Sequence, residues 1–139
     1  MVFETSKEKG RAGLSAAIAY FGMNGYTVSI PLNDTQDYDL IVDKDGVLQK
    51  VSVKSSDSKN KNGNYSCSLR TVSGTSRKVI GTVKNSSADL LFCLTGDGTM
   101  FLFPIDVLSN TNSLILSKTS KSKFSSKNTL NTCDYIVHM

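Results

Sequence analysis

The sequence contains no tryptophan, a single histidine at its extreme C-terminal end (His138), two prolines and three cysteines without CxxC spacing. Each scarcity narrows what the chain can be. One histidine and the scattered Cys67, Cys93 and Cys133 argue against a structural zinc site, which takes four clustered nitrogen or sulfur ligands. The odd cysteine set reads as buried or incidental thiols in a reducing cytosol. No apolar run approaches the length of a membrane span, and Met1-Val2-Phe3-Glu4 turns acidic and polar at once, unlike a signal peptide. The expectation is a cytoplasmic chain without a membrane partner. At 139 residues, with 39% hydrophobic and 8% aromatic residues, there is material for one core and one domain.

Acid is also scarce in one region. Between Ser58 and Ala88 there is no Asp or Glu, whereas Lys59, Lys61, Arg70, Arg77, Lys78 and Lys84 all occur. The net charge of +4 therefore divides unevenly, −2 over residues 1–57 and +6 over residues 58–139. An acidic pole beside a basic one suits a metal-dependent enzyme acting on a polyanion, and equally a protein with no such partner.

What is present reads in order as follows. Thr5-Ser6-Lys7-Glu8 is a capping box, with Thr5 as N-cap and Glu8 reaching back to the Thr5 amide. A helix should run to about Asn24 and stop at Gly25, with Leu14, Ala17, Ile18 and Phe21 as its packing stripe. Gly10, Gly13 and the alanines leave that helix thin enough for a sheet to approach. Tyr26–Ile30 is a strand ended by Pro31. Residues 55–64 and 71–87 read as long polar basic loops around one strand, Tyr65–Arg70, that turns Tyr65, Cys67 and Leu69 inward. Asp89–Leu94 is apolar enough to be central, and Gly96-Asp97-Gly98 turns it into Thr99–Phe103. Pro104 should open a short helix to Leu108, Leu114–Leu116 is a strand, residues 117–127 form a basic tail, and Thr132–Val137 adds an edge. This is an α+β pattern: an N-terminal helix followed by a mixed, largely antiparallel sheet with a central hairpin.

That hairpin carries the chemistry. Two β-rich runs flank Asp45-Gly46, a pair suited to a type I′ turn because both central residues need positive φ. Pairing Lys44 with Val47 makes every facing pair total 91, so Asp39 faces Ser52, with Lys54 diagonal on the same side. A carboxylate, a hydroxyl and an ammonium come together beside an acceptor on the lysine's strand. Such a set can hold Mg²⁺ and direct a water at a phosphodiester, and it can equally be a surface ion pair.

Lys9-Gly10, Gly25-Tyr26-Thr27-Val28 with Ile30-Pro31, Tyr38-Asp39-Leu40, Val51-Ser52-Val53-Lys54, Asp89-Leu90-Leu91-Phe92 and Phe103-Pro104-Ile105 together resemble the PD-(D/E)XK nuclease superfamily. They resemble especially its group I intron-associated homing endonuclease branch. The resemblance implies a PD-(D/E)XK nuclease-like fold and a Mg²⁺-dependent endonuclease, with Mn²⁺ substituting. It implies Asp39 and the Val53 position as metal ligands and Lys54 in the catalytic centre. Two departures stand out. The position two before the lysine is Glu or Asp in the superfamily and often Gln in this branch, but is Ser52 here. A first-helix glutamate in a Gly-x-x-Gly-Glu context is replaced by Gly13-Leu14, leaving Glu8 as the only substitute catalytic carboxylate. Metal affinity or turnover should be weaker as a result.

DNA contacts would come from Lys9 and Arg11 on the helix and from Lys59, Lys61, Arg70, Arg77 and Lys78 on the basic loops. Cutting both strands requires a second copy, hence a dimer or tetramer. The cell is expected to be bacterial or phage-infected. A Holliday-junction resolvase, a catalytically dead DNA-binding protein and an interaction module without nucleic acid remain as rivals.

Overall fold

A computed structural model describes residues 3–33, 35–72, 79–120 and 130–139. Helix α1 spans Ser6–Met23, with the Thr5 hydroxyl accepting from the Glu8 N–H at 3.1 Å. Glu8 differs from the capping-box expectation. Its carboxylate accepts from the Glu4 amide at 2.9 Å rather than from that of Thr5, so it closes the turn one residue further out. The helix stops at Asn24 and Gly25, the latter at φ 84°.

The main sheet has six strands in the order β1-β2-β3-β7-β8-β10. These are β1 (Thr27–Ser29), β2 (Leu40–Lys44), β3 (Val47–Ser56), β7 (Leu90–Thr95), β8 (Met100–Pro104) and β10 (Ile136–Val137). Every neighbouring pair is antiparallel except β3 and β7. Strand β7 is buried along its whole length, as its apolar run requires. Two smaller ladders complete the fold: β4 (Tyr65–Ser68) with β9 (Ser113–Leu116), and β5 (Arg70–Val72) with β6 (Val79–Thr82).

Several expectations are corrected. The Tyr65–Arg70 strand is two strands, broken at Leu69, whose N–H goes to Asn112 and whose carbonyl takes the Val83 N–H. Alternation survives the break, since Cys67 and Leu69 are both buried. Strand β3 runs two residues past Lys54, into the span assigned to a loop. The 71–87 segment contributes β6 and a 3-10 turn at Val83–Asn85. Pro104 ends β8, and only a 3-10 turn, Ile105–Val107, follows it. Arg77 and Lys78, and most of the basic tail, lie outside the described residues.

Alternation along β3 and β7 divides the interior in two. One face turns Val51, Leu90, Phe92 and Leu94 towards α1, which buries Gly13, Ala17 and Phe21 fully and packs Leu14 and Ile18, partly buried, against the same cluster. The other turns Leu91, Cys93, Phe101 and Phe103 towards Cys67, Leu69, Val83 and Leu116. The helix narrows at Gly13, where an added Cβ would lie 2.1 Å from Ser55 Oγ. That hydroxyl is buried without a hydrogen-bond partner among the described residues. Ser55→Ala is therefore expected to raise stability by about 1 kcal/mol, because an unsatisfied buried hydroxyl is removed. Gly13→Ala should destabilise the wild type. In the Ser55→Ala background it should stabilise by up to about 1 kcal/mol through helix propensity, since the remaining neighbours lie at 3.4 and 3.5 Å. Thermal melts of the four proteins check this; equal destabilisation by Gly13→Ala in both backgrounds would contradict it.

At the β7–β8 turn, Asp97 accepts from Lys118 Nζ at 2.8 Å, from Thr95 Oγ1 and from the Thr99 N–H. Desolvation raises its carboxyl, but these donors outweigh it and hold the group well below the usual carboxylate range. The unfolded chain thus takes up this proton first as pH falls. The Asp97 contribution is present above the ordinary value of 3.8 and fades below it. Asp97→Asn should lower stability at neutral pH, with the gap to wild type closing in urea melts taken at progressively more acidic pH. No helix among the described residues is long and apolar enough to cross a membrane.

Candidate active site

The turn at the tip of the β2–β3 hairpin has Asp45 at φ 53° and Gly46 at φ 81°, both positive as a type I′ turn demands. The ladder runs Lys44↔Val47, Asp43↔Leu48, Val42↔Gln49, Ile41↔Lys50 and Leu40↔Val51. There β2 ends. Strand β3 continues to Ser56 with β7 along one edge, so from Ser52 onward β2 leaves its other edge uncovered. Backbone polar groups need partners wherever they fall. The Val53 N–H, just past the last rung, finds one in the Asp39 carboxylate, with Oδ2 accepting at 2.7 Å. The Asp39 N–H in turn donates to the Val51 carbonyl at 2.8 Å.

This parting of the strands opens a pocket of about 160 Å³ lined by Gln36, Asp37, Tyr38, Asp39, Ser52, Val53, Lys54 and Thr71. Asp39 sits in a bend before β2. Crowding by protein atoms raises its carboxyl above the ordinary value, while the Val53 N–H and the Lys54 ammonium pull it back. Ser52 is only 3% exposed. Lys54 is half-buried, and its Nζ donates to the Arg70 carbonyl at 2.9 Å, which anchors it against β5. An ammonium has three donors, so others remain for a phosphate oxygen or a water.

The other candidate residues spread out. Glu8 is exposed and spent on capping, away from the lining. Lys9 pairs with Asp57 at 3.4 Å, and Arg11 is exposed on α1. Lys59 lies over the Tyr65 ring at 5.2 Å, and Lys61 and Arg70 are exposed. Sequence reasoning missed Asp37 and Thr71 as lining residues. Asp37 belongs to no motif in the sequence, and Thr71 reads as part of the 71–87 loop; the bond from Asp37 to Ser87 and that from Lys54 to the neighbouring Arg70 carbonyl are what tie them to the pocket.

The oxygens present fit a hard cation that keeps much of its water. Asp39 has one carboxylate oxygen, Oδ1, without a hydrogen-bond partner among the described residues. Strand alternation places the Val53 carbonyl on the same edge as its N–H, beyond the end of β2. Ser52 adds a neutral hydroxyl. Among the described residues no three His, Cys, Asp or Glu side chains converge. The set therefore suits Mg²⁺, which is commonly held by one or two carboxylates plus waters, and does not suit a fully protein-ligated ion.

A profile described as PD-(D/E)XK endonuclease matches residues 4–136. Among solved structures, the bacterial homing endonuclease I-Ssp6803I is similar, at 29% identity and a TM-score of 0.75, over 95% of this chain and 88% of that one. No curated protein is significantly similar.

Proposed function

The chain belongs to the PD-(D/E)XK endonuclease family and is a DNA endonuclease, and from that premise we propose a Mg²⁺-dependent, site-specific enzyme of the homing type, hydrolysing phosphodiesters in double-stranded DNA. The observation that carries this reading is the pocket at the parted β2–β3 edge, where Asp39, Val53 and Lys54 converge. Asp39 and the Val53 carbonyl would hold the ion, and Mn²⁺ substitutes for it. A bound ion of this kind polarises a phosphate oxygen and lowers the pKa of water.

The chain's own residues do the rest. The Asp39 carboxylate is oriented by the Val53 N–H before any ligand arrives. Lys54, fixed by the Arg70 carbonyl, presents its remaining N–H groups to the scissile phosphate, orients the attacking water and offsets charge developing on the phosphoryl oxygens. Ser52 reaches the site only through a short neutral hydroxyl, so ion affinity should be lower than with a carboxylate there. Lys59, Lys61, Arg70 and, outside the described residues, Arg77 and Lys78 would engage phosphates and base edges. One pocket per chain cuts one strand, so we take the working form to be a dimer or tetramer. The domain assignment is a single nuclease domain over residues 1–139, at work in the cytoplasm of a bacterial or phage-infected cell.

Linear duplex and four-way junction DNA, incubated side by side with Mg²⁺ or EDTA, test the reading. Mg²⁺-dependent cutting of the linear duplex is expected. Cutting of the junction alone would select the resolvase. Tight, salt-sensitive binding without cutting, unrescued by Ser52→Gln or Ser52→Glu, would select the inactive binding protein, which Ser52 favours.

A further inference from the structure

Among the described residues of the 30–39 segment none lies in a helix or strand, yet they must deliver the Asp39 carboxylate to the uncovered edge of β3. Three consecutive residues are tied to three different places. Asp39 holds the Val53 amide. Tyr38 packs on the second core with Lys50 Nζ 5.2 Å from its ring centre. Asp37 spans 50 residues to Ser87, with Oδ2 accepting from the Ser87 N–H at 2.9 Å and Oδ1 accepting from the Ser87 hydroxyl.

Ser87 is itself well placed to act as an anchor. Two residues on, Asp89 is locked to β3 in both directions: its N–H donates to the Lys50 carbonyl at 2.8 Å, and its Oδ2 accepts from the Lys50 N–H at 2.9 Å. The segment entering β7 is thus rigidly referenced to the strand that carries Lys54. Asp37 borrows that reference for the loop that carries Asp39. Without the Asp37–Ser87 link, the approach to the site would rest on the Tyr38 contact and on Asp39's own two hydrogen bonds.

We propose that Asp37 and Ser87 are positioning residues for the active site: their two-point link sets where the Asp39 carboxylate stands against the Val53 edge. The inference rests on the nuclease reading only for its consequence in cleavage; the placement itself is a property of the ligand-free protein. Groups that orient a metal ligand commonly change metal affinity or activity by about 10–100-fold when removed. Asp37→Asn keeps the size but sets an amide where a double acceptor is needed. Ser87→Ala removes the hydroxyl donor and leaves the backbone one.

The test has two arms, both run at a temperature where circular dichroism shows each variant folded. In the first, the Val53 amide is followed in metal-free protein by its proton shift and hydrogen exchange, with Asp39→Ala as the reference displacement. Asp37→Asn should shift the Val53 resonance part of the way towards the Asp39→Ala position and speed its exchange, and Ser87→Ala should do so less. In the second, the Mg²⁺ concentration giving half-maximal cleavage should rise about 10–100-fold in Asp37→Asn and less in Ser87→Ala. The double variant should be no worse than Asp37→Asn alone. A Val53 amide unmoved in both variants, while Asp39→Ala moves it, overturns the proposal. Should Asp37→Asn not fold, Ser87→Ala decides by the same criterion. A wild type that never cuts DNA, with the Val53 displacement present, would sink the nuclease reading and leave the positioning role standing.

Discussion

Lys54→Ala protein is expected to bind its DNA with nearly wild-type affinity and to cut it roughly 10²–10⁴ times more slowly, the range for losing a proton-transfer group or a charge-stabilising donor. Lys54 is half-buried and its ammonium is tied to a single backbone acceptor, the Arg70 carbonyl, so its loss costs the fold one side-chain hydrogen bond. Stability should change little, which separates the effect from unfolding. Lys54→Arg is not expected to rescue, because a planar guanidinium cannot reproduce a point ammonium in a pocket of about 160 Å³. Single-turnover cleavage and filter binding on the same preparations measure both halves of this expectation.

Asp39→Asn should come next in size. The amide oxygen can still accept from the Val53 N–H, so the loop keeps its anchor, but the formal charge that would attract the ion is gone. The cleavage rate at fixed Mg²⁺ is expected to fall at least about 10²-fold. Excess Mg²⁺ or Mn²⁺ should recover only part of it. Asp39→Ala removes the acceptor as well, so it should add a loss of stability from the unpaired Val53 amide, on the order of 1 kcal/mol. Calorimetric titration with Mn²⁺ and a thermal melt separate the two contributions: charge alone in the asparagine variant, charge and anchor in the alanine one.

The hairpin was legible because its determinants are local. Asp45-Gly46 dictates the turn, and the turn sets the register from Lys44↔Val47 to Leu40↔Val51; Asp39, one residue beyond the last rung, takes the Val53 amide rather than pairing with Ser52, and still lines one pocket with Ser52 and Lys54. Strand β7 and the cap at Thr5 were readable for the same reason. Other features depended on what the chain later packs against. The stretch from Tyr65 to Arg70 alternates without interruption, and nothing in it marks the break at Leu69, which follows from a bond to Asn112 far along the chain. The burial of Gly13 on α1, beside the expected Ala17 and Phe21, follows from how closely Ser55 comes there, a fact about β3. Asp37 reads as a polar turn residue in sequence; its partner lies 50 positions away. The site's centre was therefore visible from local rules and its supports were not.

The family resemblance and the register point to the same three positions by independent routes. The resemblance alone marks Ser52 as a departure: it is buried in the pocket and offers a short neutral hydroxyl. A site with one carboxylate and one carbonyl depends more heavily on their placement, which is why the supports of Asp39 matter here.

Asp39 and Lys54 are expected to act as one site. The measurement that tests this most directly is the single-turnover cleavage rate of wild type, Asp39→Ala, Lys54→Ala and the double variant under saturating Mg²⁺ on one DNA substrate. Residues that work as a unit lose most of their effect with the first removal. The double variant should therefore cut no more slowly than the worse single variant, within a few-fold. Losses that multiply in the double variant, or four equal rates, would contradict it.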